Sequence, residues 1–242
     1  MAENKSKVLV LVEGKKTDVN LMKHLFEIYG IGESHDIVSY NSNIYSLYNE
    51  MFCEDRPENI DLLQLLKERE LDPDKKLIFN ERYSDILLIF DLDPQDTFFS
   101  SDSLKEMIAY FVESSDMGKL YINYPMVESF YHMKSIPDDE YNSRFATIEE
   151  LKDKNYKHRV GMENCNHDYR KFAKDKPKCN TVIRQNIEKG FLLCGVDDPR
   201  EPLPDSVKIL SVQLDSIEND QRMAVLCTCA FYIVDYNPKL ID

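Results

Sequence analysis

The chain has no apolar run long enough to cross a bilayer. Its longest candidate, Met223 to Val234, is interrupted by Cys and Thr and covers only about half of a membrane span. The first residues, Met1-Ala-Glu-Asn-Lys-Ser-Lys7, hold no apolar signal region, so the expected location is cytoplasmic, with no membrane partner. The cysteines (Cys53, Cys165, Cys179, Cys194, Cys227 and Cys229) form no C-x-x-C pair, which argues for reduced thiols rather than a disulfide framework. Cys165 and His167 lie close together, but no second ligand pair follows at zinc-finger spacing. There is no Walker motif, no internal repeat and no low-complexity segment.

Cations are also in short supply. Lys and Arg number 30 against 44 Asp and Glu, a net charge of −14, which opposes capture of nucleic acid by the surface as a whole. The deficit is uneven. Residues 152–189 carry 11 Lys/Arg against 5 Asp/Glu, leaving the rest of the chain at −20. A basic segment on an acidic protein can dock phosphates, although a solvated helical surface has the same composition.

The 242 residues are 43% hydrophobic and 31% charged, ordinary for a globular chain with a substantial core. Residues 1–134 alternate strand-like runs (7–12, 36–40, 85–91, 119–123) with helix-like ones (17–29, 43–53, 59–70, 102–113, 126–134). This predicts an α/β fold with a central four-stranded, mainly parallel sheet between helices. Acidic, Pro-containing segments at Glu54-Asp-Arg-Pro57 and Leu71-Asp-Pro-Asp74 punctuate it. From Ser135 the pattern turns helical, with a start at Pro137-Asp-Asp-Glu140 and helices near 147–154, 166–174, 180–190, 206–218 and 220–235, the last also readable as a strand over Val225–Val234. We expect a core over 1–134 and a helical extension over 135–242 packed on it as one body.

Two strands end in carboxylates. Ile86-Leu-Leu-Ile-Phe90 reads as a buried strand that delivers Asp91 and Asp93 at its carboxyl end, on one side and roughly 6–7 Å apart. Val8-Leu-Val-Leu-Val12 stops at Glu13-Gly14 and runs into a helix from Thr17. In open α/β sheets ligands bind beyond the carboxyl ends of strands, where Glu13, Asp91 and Asp93 would converge. Such oxygens suit Mg2+ or Mn2+. The ordinary alternatives are that Glu13 caps a turn and that the Asp pair serves as turn and helix cap beside Pro94 and Asp96. Glu13-Gly-Lys-Lys-Thr-Asp18 has a single Gly and too short a spacing for a phosphate-binding loop. Asp91-Leu-Asp93 also suggests a haloacid-dehalogenase type phosphatase, but Gln95 occupies the position that motif gives to Thr or Val.

A strand ending Glu13-Gly14, followed by one ending Asp91-x-Asp93, resembles the Toprim domain of topoisomerases, primases and OLD-type nucleases. Val12-Glu-Gly-Lys-Lys-Thr-Asp18 resembles the opening motif of RloB-like proteins, with Asp18 in place of the usual Glu. Tyr121-Ile-Asn-Tyr-Pro-Met-Val-Glu-Ser-Phe-Tyr-His132 resembles a later block of that group through Asn123, Pro125 and Glu128, with Tyr124 inserted and Phe130 where Trp is common. The resemblance covers about residues 7–134. It implies a Toprim-like core and a nuclease dependent on Mg2+ or Mn2+ that cuts DNA or RNA, tRNA included. By the same resemblance Asp91 and Asp93 hold metal, and Glu13 is a ligand or general base. Asp18 and Glu128 are candidates for a second metal position. Glu128 could instead be a carboxylate favoured by a helix N-terminus, and His132 a packing residue. The group's association with bacterial anti-phage defence implies a restrained effector, with a partner ATPase and a homodimer as equal expectations. A phosphohydrolase of small phosphorylated molecules would use the same carboxylates, and a silent scaffold module would keep only the fold.

Overall fold

The computed structural model describes residues 7–53, 56–115 and 117–241. Residues 1–6, with the N-terminal stretch read for a signal, and Glu54 and Asp55 of the first acidic segment lie outside the described residues.

Strand β1 (Lys7–Val12) is apolar after its first residue and buried along that length, as a strand covered on both faces must be. With β2 (His35–Ser39), β3 (Tyr83–Asp91) and β4 (Lys119–Asn123) it forms the expected parallel sheet, in the order β2-β1-β3-β4. Helix α1 (Thr17–Tyr29) links β1 to β2. It buries Leu21, Met22, Leu25, Phe26 and Tyr29 and stops at Gly30, whose φ of 67° is the left-handed cap geometry. Helices α2 (Ile44–Tyr48), α3 (Leu62–Arg69) and α4 (Pro73–Lys76) lie between β2 and β3, and α5 (Ser101–Tyr110) between β3 and β4. Right-handed crossovers place α1 on one face and α2 and α5, which touch, on the other.

Beyond β4 the chain adds α6 (Ile148–Lys152), α7 (Tyr156–Glu163), α8 (Lys176–Leu193), α9 (Ser206–Asp220) and α10 (Tyr232–Tyr236). It also forms an antiparallel ribbon of β5 (Phe145–Thr147) and β6 (Arg222–Ala224). These elements join the sheet's core through backbone contacts. Tyr124 bridges Leu226, and the Thr228 hydroxyl donates to the Ile122 carbonyl at 2.8 Å, covering the β4 edge. Buried side chains form one continuous cluster from β1 to α10. No helix among the described residues is long and apolar enough to cross a membrane.

Several expected helices change form. The 43–53 run is helical only to Tyr48 and widens into a π turn over Asn49–Cys53. Residues 126–134 form a short 3-10 turn, Val127–Tyr131. All five of its residues are buried, so the segment has no solvent face for an amphipathic helix to present. The expected helix at 166–174 is a 3-10 turn, Tyr169–Lys171, between His167 and Ala173, both at positive φ. The helix forms earlier, as α7, and ends at buried Asn164, whose amide donates to the Tyr131 carbonyl at 2.7 Å. The 220–235 run divides into β6, a 3-10 turn Cys229–Phe231 and α10.

Pro137-Asp-Asp-Glu140 starts no α-helix, because the Asp138 carboxylate folds the turn onto itself. It accepts from the backbone N–H groups of Lys134 (2.7 Å) and Glu140 (3.0 Å) and from the Arg144 guanidinium (2.6 Å). Burial works to raise the Asp138 carboxyl, and the Arg144 hydrogen bond, with those backbone donors, outweighs it and holds the group below the usual range. Lys189, counted above in the basic segment, is buried here instead, donating to the Tyr141 and Arg144 carbonyls at 2.7 and 2.8 Å. Removing one partner of a buried pair strands the other charge. Asp138→Ala is therefore expected to destabilise the fold by about 3–5 kcal/mol in urea unfolding. The deficit against wild type should shrink as pH falls below the carboxylate range, where the wild-type pair is also lost.

Candidate functional site

Glu13 follows the last residue of β1 and is pinned between its neighbours. Its N–H donates to the Ile89 carbonyl of β3 at 3.1 Å, and its carbonyl accepts from Asn41 beyond β2 at 3.0 Å. The side chain does not cap α1. It turns across the sheet end to accept from the Asp91 N–H at 3.1 Å. Asp91 ends β3 in register with Asn123 of β4, whose amide donates to Asp91 Oδ1 at 3.4 Å. The chain then turns sharply. Asp93 has φ of +42°, a left-handed conformation that Asp tolerates better than most residues, and its carboxylate accepts from the Gln95 amide at 2.9 Å. Asp96 stands apart, occupied by the Asn43 amide and the Phe98 N–H.

Asp18 enters from the first turn of α1. Gly14 makes room for it, since a Cβ there would sit 2.6 Å from Asp18 Oδ2. Glu128 comes from the 3-10 turn after β4. Glu13, Asp18, Asp91, Asp93 and Glu128 all line one cavity of about 340 Å³, so the sequence candidates share a single pocket. Met126, Val127, Leu151 and Tyr156 give it partly apolar walls. His132 does not line it. That ring is buried against the Tyr156 hydroxyl (3.2 Å) and Glu163 (3.0 Å), and burial pushes it down to about 2, so it is a neutral packing residue.

The electrostatics are dominated by crowding of like charge. Burial, then the neighbouring Asp93 charge, pushes the Glu13 carboxyl up to about 8. Burial also raises Asp18, Asp93 and, most of all, Asp91, where the Glu13 charge adds to it. Three oxygens facing this region, Asp18 Oδ1, Glu128 Oε2 and Gln95 Oε1, are buried without a hydrogen-bond partner. Buried orphan oxygens are costly unless something binds them.

Sequence reasoning missed the cations. Lys154 and Lys157, beside and on α7, line the pocket, and Lys157 Nζ lies 3.1 Å from Glu128 Oε1. Desolvation works to lower the Lys157 ammonium, but the Glu128 charge outweighs it and the group is raised. The only sequence signal was the basic bias of 152–189. Asn123, seen earlier only as a motif residue, also holds the β4 end to Cys227 and Cys229: its Oδ1 lies 3.6 Å from Cys227 Sγ and accepts from the Cys229 N–H at 3.3 Å.

Among the described residues, no three acidic, His or Cys side chains are already drawn together as a ligand set for a metal ion. The donor chemistry nevertheless fits a divalent cation that prefers oxygen, because the pocket combines clustered carboxylates with unpartnered oxygens. A larger cavity, about 640 Å³, opens between the end of α5 and the loop before α9. Its charged residues are mixed in sign (Glu113, Glu201, Asp205 and Asp235 with Lys119, Arg200 and Lys208), so it lacks the concentrated charge that marks the smaller one.

The fold and pocket define an α/β protein with an acidic, lysine-edged cleft at the carboxyl end of a parallel sheet. No family model, curated protein or solved structure matches the chain.

Because Glu13, Asp18, Asp91 and Asp93 hold protons more tightly folded than unfolded, they favour the folded state most at low pH. That contribution is lost as pH rises from the ordinary carboxylate range towards about 8. In EDTA, Glu13→Gln should gain stability relative to wild type between pH 5 and pH 8, read as a rising difference in melting temperature. A flat difference would show that Glu13 is not held protonated.

Proposed function

We propose that this chain is a metal-dependent nuclease of Toprim type that hydrolyses phosphodiester bonds in DNA or RNA, tRNA included. The observation that carries this reading is the meeting of Glu13, Asp91 and Asp93 from adjacent strand ends with Asp18, Glu128 and Lys157 in one pocket. Asp91, Asp93 and Glu13 would hold Mg2+ or Mn2+, with Asp18 and Glu128 serving a second position. Such an ion, when bound, polarises a phosphoryl oxygen and offsets charge that develops on it.

The chain's own groups divide the remaining work. Lys157 offers its ammonium to a non-bridging phosphate oxygen, exchanging the Glu128 carboxylate for the substrate's charge. Where Glu13 is not ligating the ion, its ionised carboxylate would accept a proton from an attacking water. Asn123 orients the Asp91 carboxylate through its amide. Gln95 does the same for Asp93. The partly apolar walls exclude bulk water, which strengthens each of these interactions.

By the resemblance to RloB-like and OLD-like proteins, the biological setting is bacterial anti-phage defence. Restraint would then come from an ATPase partner or from pairing of two copies. A second reading is favoured by the recess itself: a 340 Å³ cavity also accommodates a small phosphorylated molecule hydrolysed by the same residues.

The test is cleavage of plasmid, linear duplex, single strands and total tRNA in Mg2+ or Mn2+, with EDTA as control. Wild type should cut. Glu13→Ala and Asp91→Ala should abolish cutting, and Lys157→Met should slow it by about 10²-fold. Gly14→Ala should weaken metal binding by calorimetry, since the new methyl displaces Asp18. A folded wild type that neither binds metal nor cuts would sink the reading in favour of a silent module. Metal binding with turnover only of small phosphate esters would favour the second reading.

A further inference from the structure

The pocket's carboxylates are recessed, with Asp18, Asp91 and Glu128 only 6%, 7% and 3% exposed, while Lys154 and Lys157 stand at the surface beside them. From this recess α1 leads outward. Thr17 lines the pocket, and Lys16, Asn20 and Lys23 are exposed as the helix proceeds. His24 Nε2 lies 3.1 Å from the Ala173 carbonyl, which sets the basic segment of the C-terminal half against the middle of α1 at that point. Arg170, Lys171 and Lys174 are exposed there. Arg170 is held by both oxygens of Asp168, at 3.0 and 3.1 Å. Lys16, Lys23, Lys154, Lys171 and Lys174 have no carboxylate within ion-pair distance among the described residues. Tyr169 sits within this segment, half-buried and stacked on Tyr131 with ring centroids 4.3 Å apart.

Building on the nuclease reading, we infer that the strip between α1 and residues 169–174 is a docking track for the phosphodiester backbone of a single-stranded polynucleotide whose scissile phosphate enters the pocket. From Thr17 to His24 the helix rises about 10 Å, room for about three phosphates at the ~3.4 Å rise of one stacked strand. The unpaired ammonium groups supply the counter-charge. On a protein of net charge −14, they act only within a screening length of about 8 Å. A strand is therefore gripped only where it lies along the strip. The recess selects against a duplex, whose stiffness keeps its phosphates on the outside of a rod. A single strand can turn its backbone inward.

The experiment is anisotropy of labelled single-stranded RNA and DNA 16-mers, and of the matching duplex, in EDTA across a salt series. Wild type is compared with Lys23→Glu/Lys171→Glu/Lys174→Glu. The control is Lys105→Glu/Arg200→Glu/Lys208→Glu, an equal charge change on exposed sites on and near α5 and α9. Melting temperatures verify that both triple variants fold. The track variant should bind single strands at least tenfold more weakly, and its salt slope should fall by about two. The control should match wild type, and the duplex should bind wild type at least tenfold more weakly than the single strand. Equal affinity of track variant and wild type, or equal affinity for duplex and single strand, overturns the inference. If wild type cuts nucleic acid while the track variant binds and cuts as well as it does, the track falls and the nuclease reading stands. If wild type neither binds metal nor cuts but single strands bind with the expected sensitivity, the nuclease reading falls and the track stands.

Discussion

Mutual repulsion among carboxylates packed at one end of the sheet is the constraint around which this molecule is organised. Five acidic side chains share a pocket in which most of their surface is withdrawn from water. Left alone, such a cluster would spread or protonate. It is held instead by backbone: Glu13 pinned between β3 and the chain after β2, Asp91 at a strand end in register with Asn123, and Asp93 in a left-handed turn. The parallel sheet fixes Glu13 and Asp91 at its strand ends, while α1 and the 3-10 turn after β4 bring Asp18 and Glu128 to them. The apolar strands are therefore as much a part of the site as the acids they carry.

The second half of the chain answers the same constraint with charge of the opposite sign. Helix α7 brings Lys157 to Glu128, and Lys154 precedes it at the pocket edge. The acidic cluster is thereby partly offset at short range by a locally basic segment, although the whole chain is strongly acidic. Structural polar groups settle their accounts elsewhere. Asp138 with Arg144, and Lys189 with two carbonyls, are satisfied inside the C-terminal half and leave nothing for a ligand.

How much of this was legible in the sequence followed the strength of local pattern. The runs Val8–Val12 and Ile86–Phe90 are unbroken and apolar, and a parallel strand buried on both faces has no other way to look. The acids at their ends followed from that pattern, whereas Asp18, in the first turn of α1, was singled out only through the resemblance to RloB-like proteins. Glu128 was found, but its helix was not, because a segment buried on every side has no periodicity to read. Helix α7 is short, polar and weakly patterned, and β5 and β6 have three residues each, so neither rises above its surroundings. Lys157 was invisible for a different reason: its partner Glu128 belongs to the other half of the chain, and no local rule predicts a pairing between distant segments.

The strand order carries a consequence for how the molecule comes into being. β1 is made before the other strands of this sheet yet lies inside it, flanked by β2 and β3. As the chain emerges from a ribosome, β1 can take β2 early, but its other edge stays open until β3 has been made. The lysine that tempers the acids arrives later still, with α7. Once β3 has paired, its own outer edge waits for β4, with Glu13, Asp18, Asp91 and Asp93 already gathered at the strand ends and Lys157 still to come. Those repelling charges oppose edge-to-edge association of half-made chains. The same carboxylates that burden the finished fold thus protect the unfinished one.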